Sequence, residues 1–144
     1  MAEAPEPDPI DLAVLDMAQR VMSDYDSARY QVAHRWSDAA GMWFTEIEPV
    51  GSKAVNISLY HGGDTLNVYF GSTWFECFSF DFDDLPDIEA VLQALCAGDF
   101  EQAGTRERSF ARIYVSGHTW RVGHVHWPWP WGWRRTKRYP AYVR

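Results

Sequence analysis

The amino-acid sequence predicts an α+β fold: one antiparallel sheet of about six strands, in the chain order α-β4-α-β2, with two helices packed on one face. Two segments carry apolar residues at helical spacing. Four segments between them and two after the second helix alternate apolar and polar residues and are joined by short glycine-containing turns. The length of 144 residues fits one domain that can bury a core.

The first helix is predicted over residues 9–25. Asp8 precedes it as the N-cap, Pro9 occupies the first helical position, and Asp11 lies in the first turn. Residues 1–8, which are acidic and rich in proline, are expected to form a disordered lead-in. The apolar stripe of the helix consists of Ile10, Val14, Leu15, Met17, Ala18, Val21, Met22 and Tyr25.

Four strands follow, the last three of which are predicted to form a meander. Residues 27–40 fit either a short helix or a strand with a loop, but from Met42 the period changes to two. Turns are expected at 61–64, where the sequence is His-Gly-Gly-Asp, and at Gly71. Consecutive strands with such short connections pair antiparallel. The predicted strands cover residues 43–48, 55–60, 66–70 and 74–80.

A second helix and a final hairpin complete the predicted elements. Asp83 or Asp84 caps the helix, and Gly98 is placed to end it. Its buried stripe is Ile88, Val91, Leu92, Leu95 and Cys96. Residues 109–115 and 119–126, with a glycine turn between them, predict the last two strands.

Charge divides the chain into two parts. Residues 1–104 carry 19 Asp and Glu against 4 Lys and Arg, whereas residues 105–144 carry 9 Lys and Arg and a single acid, Glu107. We therefore separate an α+β domain over 1–126 from a basic segment over 127–144 that is rich in Trp, Pro and Arg. This segment either folds back onto its own domain as a clasp or offers a second surface to a partner.

An acidic cluster surrounds the junction between the meander and the second helix. Helix capping and the helix dipole account for some of these carboxylates, but the cluster also fits a docking surface for a basic protein. The candidate partner-binding residues are Asp81, Asp83, Asp84 and Asp87. No nucleophile motif or glycine-rich phosphate loop is present in the sequence, so we expect neither catalysis nor a metal or other cofactor.

The basic segment supplies the alternative function. Its Trp-Pro alternation followed by Arg resembles cationic antimicrobial peptides such as indolicidin. Indole and guanidinium groups stack on nucleic-acid bases and enter lipid interfaces, so contact with nucleic acid or an anionic membrane through this segment alone is the second hypothesis. The residues that would make this contact are Trp129, Trp131, Trp133, Arg134, Arg135, Lys137 and Arg138.

The order of elements over residues 42–126 resembles small actinobacterial proteins of unknown function, several of which are similar to immunity proteins of bacterial toxin systems. The segments that carry the resemblance are 57–60, 68–71 and 84–95 followed by Gly98. It implies a non-enzymatic inhibitor that presents an acidic surface to a basic nuclease or deaminase. The N-terminus is unlike a signal peptide, and no apolar run reaches the roughly 20 residues that span a bilayer. We therefore expect a cytoplasmic protein of immunity or antitoxin type.

Overall fold

The computed structural model describes residues 3–104, 109–123 and 136–144. Two short 3₁₀ turns, Ser27–Arg29 and Phe82–Asp84, precede the first strand and the second helix. The elements follow one another as α1 (Pro9–Met22), β1 (Tyr30–Ser37), β2 (Met42–Pro49), β3 (Ile57–Gly62), β4 (Thr65–Phe70), β5 (Thr73–Cys77), α2 (Leu85–Cys96), β6 (Phe100–Ala103), β7 (Phe110–Val115) and β8 (His118–Gly123).

The strands form two antiparallel sheets. One contains β1 to β5 and the other β6 to β8, each in sequence order. The predicted α+β class and antiparallel pairing are confirmed. The prediction of one sheet of about six strands in the order α-β4-α-β2 is wrong, because the described ranges hold eight strands in two sheets in the order α-β5-α-β3.

Two strands go beyond the predicted six: β1, for which a strand with a loop was one of two alternatives, and β6, which the sequence pattern did not identify. β1 pairs with β2 along its whole length, with Val32 opposite Ile47. His34 interrupts the apolar alternation of β1. The conformation of this strand therefore depends more on its pairing with β2 than on its own sequence pattern. β6 has only four residues, too few to show a period, and it is held by β7 through the pair Phe100 and Ile113.

The helices divide between the two sheets. α1 lies over β1, β2 and β3, whereas α2 contacts α1 and β7. Phe75 of β5 and Trp120 of β8 meet edge to face with ring centroids 6.5 Å apart, which joins the sheets. Both helices and both sheets therefore enclose one core, whose largest fully buried side chains include Phe70, Phe100, Met17, Met22, Leu59, Leu92 and Ile113.

The ends of the helices show which sequence signals predicted a helix boundary correctly. Asp8 caps α1 as predicted: its carboxylate accepts a hydrogen bond from the backbone N–H of Asp11. α1 ends at Met22 rather than at residue 25. Gly98 follows α2 with φ of 75°, a conformation that glycine adopts without strain. No helix in the described ranges combines the length and the apolar character needed to cross a membrane.

Candidate functional site

The predicted acidic cluster lies on the connection between β5 and α2 and in the first turn of α2. The chain leaves the five-stranded sheet after Cys77 and turns through Ser79, which has φ of 53°. Two reciprocal hydrogen bonds then shape the 3₁₀ turn: the backbone N–H of Asp83 donates to Asp81 Oδ1 over 2.9 Å, and the backbone N–H of Asp81 donates to Asp84 Oδ2 over 3.0 Å. This capping box fixes the directions of two of the four predicted carboxylates.

Asp84 occupies the N-cap position of α2, as one of the two predicted alternatives requires, but its carboxylate makes no cap bond to that helix. It points back to Asp81 instead. Asp87 lies in the first turn of α2, where a negative charge interacts favourably with the helix dipole. The hydrogen bond of Asp84 and the dipole interaction of Asp87 therefore leave both negative charges near the surface.

The four carboxylates keep their charge uncompensated by the cations of the described chain. Asp81, Asp83 and Asp87 are exposed and Asp84 is half-buried. Within the described ranges none of them forms an ion pair with Lys or Arg. The neighbouring Glu89 differs, because it binds Arg20 over 2.6 Å. The negative potential of the cluster is thus available to a partner.

Two phenylalanines on the same connection are exposed. Phe78 is 73% exposed and Phe82 is 55% exposed, which makes them the most exposed large apolar residues among those described. The sequence pattern placed Phe78 inside a strand over 74–80, whereas β5 ends at Cys77. The signal that could have revealed them is the run Phe78 to Phe82, in which aromatic residues continue after the strand into an acidic segment. We call Phe78, Asp81, Phe82, Asp83, Asp84 and Asp87 the junction surface.

The predicted contact residues of the basic segment are only partly described. Trp129, Trp131, Trp133, Arg134 and Arg135 lie outside the described residues. The backbone of Lys137 pairs with Gln102, and its Nζ lies 4.5 Å from the centroid of the Tyr139 ring. Arg138 binds Glu101 over 2.9 Å. Lys137 and Arg138 thus contact their own domain, and the nucleic-acid or membrane hypothesis stays a prediction.

Residues 139–143 of the C-terminal segment also pack against the domain. The Tyr139 ring stacks on Phe100 with centroids 5.5 Å apart, and Tyr142 is buried. The backbone N–H of Asp26 donates to the carbonyl oxygen of Val143 over 2.8 Å. Residues 136–144 therefore adopt the folded-back arrangement that the clasp alternative describes.

A row of aromatic rings crosses the face of the five-stranded sheet opposite α1. Cross-strand neighbours Phe44, Tyr60, Tyr69 and Trp74 have successive ring centroids 4.7, 5.7 and 5.8 Å apart. Arg35 lies over the Phe44 ring and binds Glu46. Such cross-strand pairs stabilise a sheet directly. We therefore assign this row a structural role.

Comparison with models of protein families, with curated proteins and with solved structures finds no match. The resemblance to immunity proteins therefore stays a prediction.

Proposed function

We propose that this protein is a non-enzymatic, cytoplasmic binding protein of immunity or antitoxin type, which neutralises a basic toxin domain through the junction surface. The observation that carries the proposal is that four carboxylates without a described cationic partner and two exposed phenylalanines lie on one short connection and the first turn of the helix that follows it. A basic, partly apolar protein surface complements both features.

The charges account for selection of the partner. A concentration of like charge raises the rate of encounter with an oppositely charged protein, and it repels acidic competitors. The catalytic clefts of enzymes that cleave or modify nucleic acids are basic, because they hold phosphates. An acidic inhibitor surface that enters such a cleft blocks the place of the substrate.

The phenylalanines account for retention of the partner. Exposed aromatic side chains become binding hot spots when a partner encloses them and excludes water. Phe78 and Phe82 contribute little to the folded core in the free protein because they are largely exposed. Their apolar surface is therefore available for burial against a partner.

The capping box of Asp81 and Asp84 favours binding by limiting the loss of conformational freedom. A carboxylate already held by a backbone N–H loses less side-chain entropy when it binds than a free one does. The two bonds, 2.9 and 3.0 Å long, use one oxygen of each carboxylate. The second oxygen of each remains to accept a bond from a basic residue of the partner.

The proposal is tested with the full chain as bait in a lysate of its native host, followed by expression of each captured protein alone and together with the chain. We expect one captured protein to arrest growth when expressed alone and to be harmless in co-expression. The proposal is rejected if none of the captured proteins arrests growth.

The role of the junction surface is tested by charge reversal. The triple variant Asp81→Lys, Asp83→Lys and Asp87→Lys should slow association with the toxin by about tenfold or more at low salt, and by less at high salt. The matched control reverses Glu3, Glu6 and Asp24, three exposed acids elsewhere, and changes the net charge equally. Equal slowing by both variants would show that net charge alone steers the partner.

A further inference from the structure

Two carboxylates and an imidazole meet where α1 begins and β3 ends. Asp8 and Asp11 belong to the first turn of α1, and His61 lies near the end of β3. One oxygen of each carboxylate and one ring nitrogen of His61 all lie within 4.8 Å of one another. The sequence predicted the helix cap for Asp8, a first-turn position for Asp11 and a turn position for His61, so their proximity is a product of the fold.

The capping bonds occupy only half of the carboxylate oxygens. The backbone N–H of Asp11 donates to Asp8 Oδ1 over 3.0 Å, and the backbone N–H of Asp8 donates to Asp11 Oδ2 over 3.4 Å. In the described part of the chain, Asp8 Oδ2 and Asp11 Oδ1 accept no hydrogen bond. These two oxygens are available to a ligand while the helix cap stays intact.

The cluster also contains a buried nitrogen atom without a partner and a buried carboxyl group. Nε2 of His61 is buried and makes no hydrogen bond within the described ranges. Asp11 is only 8% exposed, and burial together with the charge of Asp8 raises the pKa of its carboxyl to about 6. Unpaired buried polar atoms and close like charges both destabilise a fold, and a bound cation relieves both.

We propose that Asp8, Asp11 and His61 bind a divalent first-row metal ion, of which Zn²⁺ and Mn²⁺ are the representative cases. Ligand atoms about 2.1 Å from one such ion lie up to about 4.2 Å apart, so a small closure of the observed cluster brings all three into contact with it. One imidazole among carboxylates favours these ions over Ca²⁺, which prefers oxygen ligands alone. The ion ties the start of α1 to the β3–β4 hairpin, and water fills its remaining positions.

The first test is a calorimetric titration of the full chain, stripped with EDTA, with MnCl₂ and separately with ZnCl₂. Every protein titrated carries His124→Gln and His126→Gln, because a His-X-His pair can bind Zn²⁺ independently. The chain with these two changes alone is the parent. We expect one equivalent of ion to bind. Asp11→Asn and His61→Gln should each weaken binding by about tenfold or more. Asp11→Asn keeps an oxygen that accepts the bond from Asp8, so it preserves the fold.

The control is Asp64→Asn, which removes a carboxylate from the β3–β4 turn outside the cluster and should bind the ion as the parent does. Thermal unfolding provides a second measurement: the ion should raise the Tm of the parent and of Asp64→Asn, but not that of Asp11→Asn or His61→Gln. The proposal is overturned if the parent binds neither ion, or if Asp11→Asn and His61→Gln bind the ion as tightly as the parent does.

Discussion

The hydroxyl of Tyr142 donates a hydrogen bond to the backbone carbonyl oxygen of Val55 over 2.6 Å. Tyr142 is 2% exposed, and its backbone N–H donates to the carbonyl oxygen of Cys96 at the end of α2. Burial raises the pKa of the Tyr142 hydroxyl, so it stays protonated and serves as a donor at neutral pH. One side chain near the C-terminus therefore bridges the end of α2 and the segment that precedes β3.

Replacement of Tyr142 by Phe should lower the free energy of unfolding by about 1–3 kcal/mol, because the buried carbonyl of Val55 loses this donor while the ring remains. Urea denaturation monitored by fluorescence measures the change. Tyr69→Phe is the matched control, since Tyr69 is exposed on the outer face of the sheet, and it should change stability by less than about 0.5 kcal/mol. A change of less than about 0.5 kcal/mol in the Tyr142→Phe variant would show that the buried bond contributes nothing.

Gly71 in the β4–β5 turn should not tolerate a side chain. It has φ of 57°, and an added Cβ would lie 2.5 Å from Gln102 Oε1 and 2.8 Å from the Tyr139 hydroxyl. Gly63 has φ of 62° but nothing within 4 Å of the same position, so Gly63→Ala measures the backbone strain alone. We expect Gly71→Ala to be less stable than Gly63→Ala by at least about 1 kcal/mol, as overpacking predicts. Similar losses of unfolding free energy in both variants would contradict close packing at this turn.

Glu101 should make the attachment of the C-terminal residues dependent on pH. Its carboxylate accepts hydrogen bonds from Tyr114 (2.7 Å), Arg112 (2.9 Å) and Arg138 (2.9 Å). The bond from Tyr114 lowers the pKa of Glu101, burial opposes this, and the bond from Arg138 lowers the pKa further. Because the pKa is lower in the folded state, this stabilisation is present above the ordinary pKa of glutamate and is lost as the pH falls through the lowered value.

The measurement is hydrogen exchange of residues 136–144 as a function of pH, corrected for the intrinsic exchange rate. Protection should fall in acid in the parent, and Glu101→Gln should exchange faster at neutral pH with a weaker dependence on pH. Glu48→Gln, at an exposed position, is the control and should behave as the parent does. Identical pH profiles for Glu101→Gln and the parent would exclude this carboxylate as the group that holds the segment.

If the proposed toxin partner binds the junction surface, replacement of Phe78 and Phe82 by Ser should weaken that binding without weakening the fold. Loss of a hot spot costs about 2 kcal/mol or more, so each change should raise Kd by about 30-fold or more, mainly through faster dissociation. Stability should change by less than about 0.5 kcal/mol because both rings are largely exposed. Leu12→Ser, at an exposed apolar position on α1, is the control. Unchanged dissociation in both Phe variants would remove the phenylalanines from the interface.

The sequence predicted features that depend on neighbouring residues. The cap at Asp8, the meander of β3 to β5 and the glycine that ends α2 all follow from signals within a few residues. The acidic cluster was also predicted from the sequence. Its geometry was not, because the capping box and the exposure of Phe78 depend on where β5 ends.

Contacts between residues far apart in the chain determined the features that the sequence did not predict. The division of the strands into two sheets, the burial of Tyr142, and the approach of His61 to Asp8 and Asp11 join positions that are far apart in the chain. Hydrophobic period and capping act over one or two turns of helix or a single strand. Which apolar faces meet depends instead on how the whole chain buries its surface, and that is settled only when all the elements pack together.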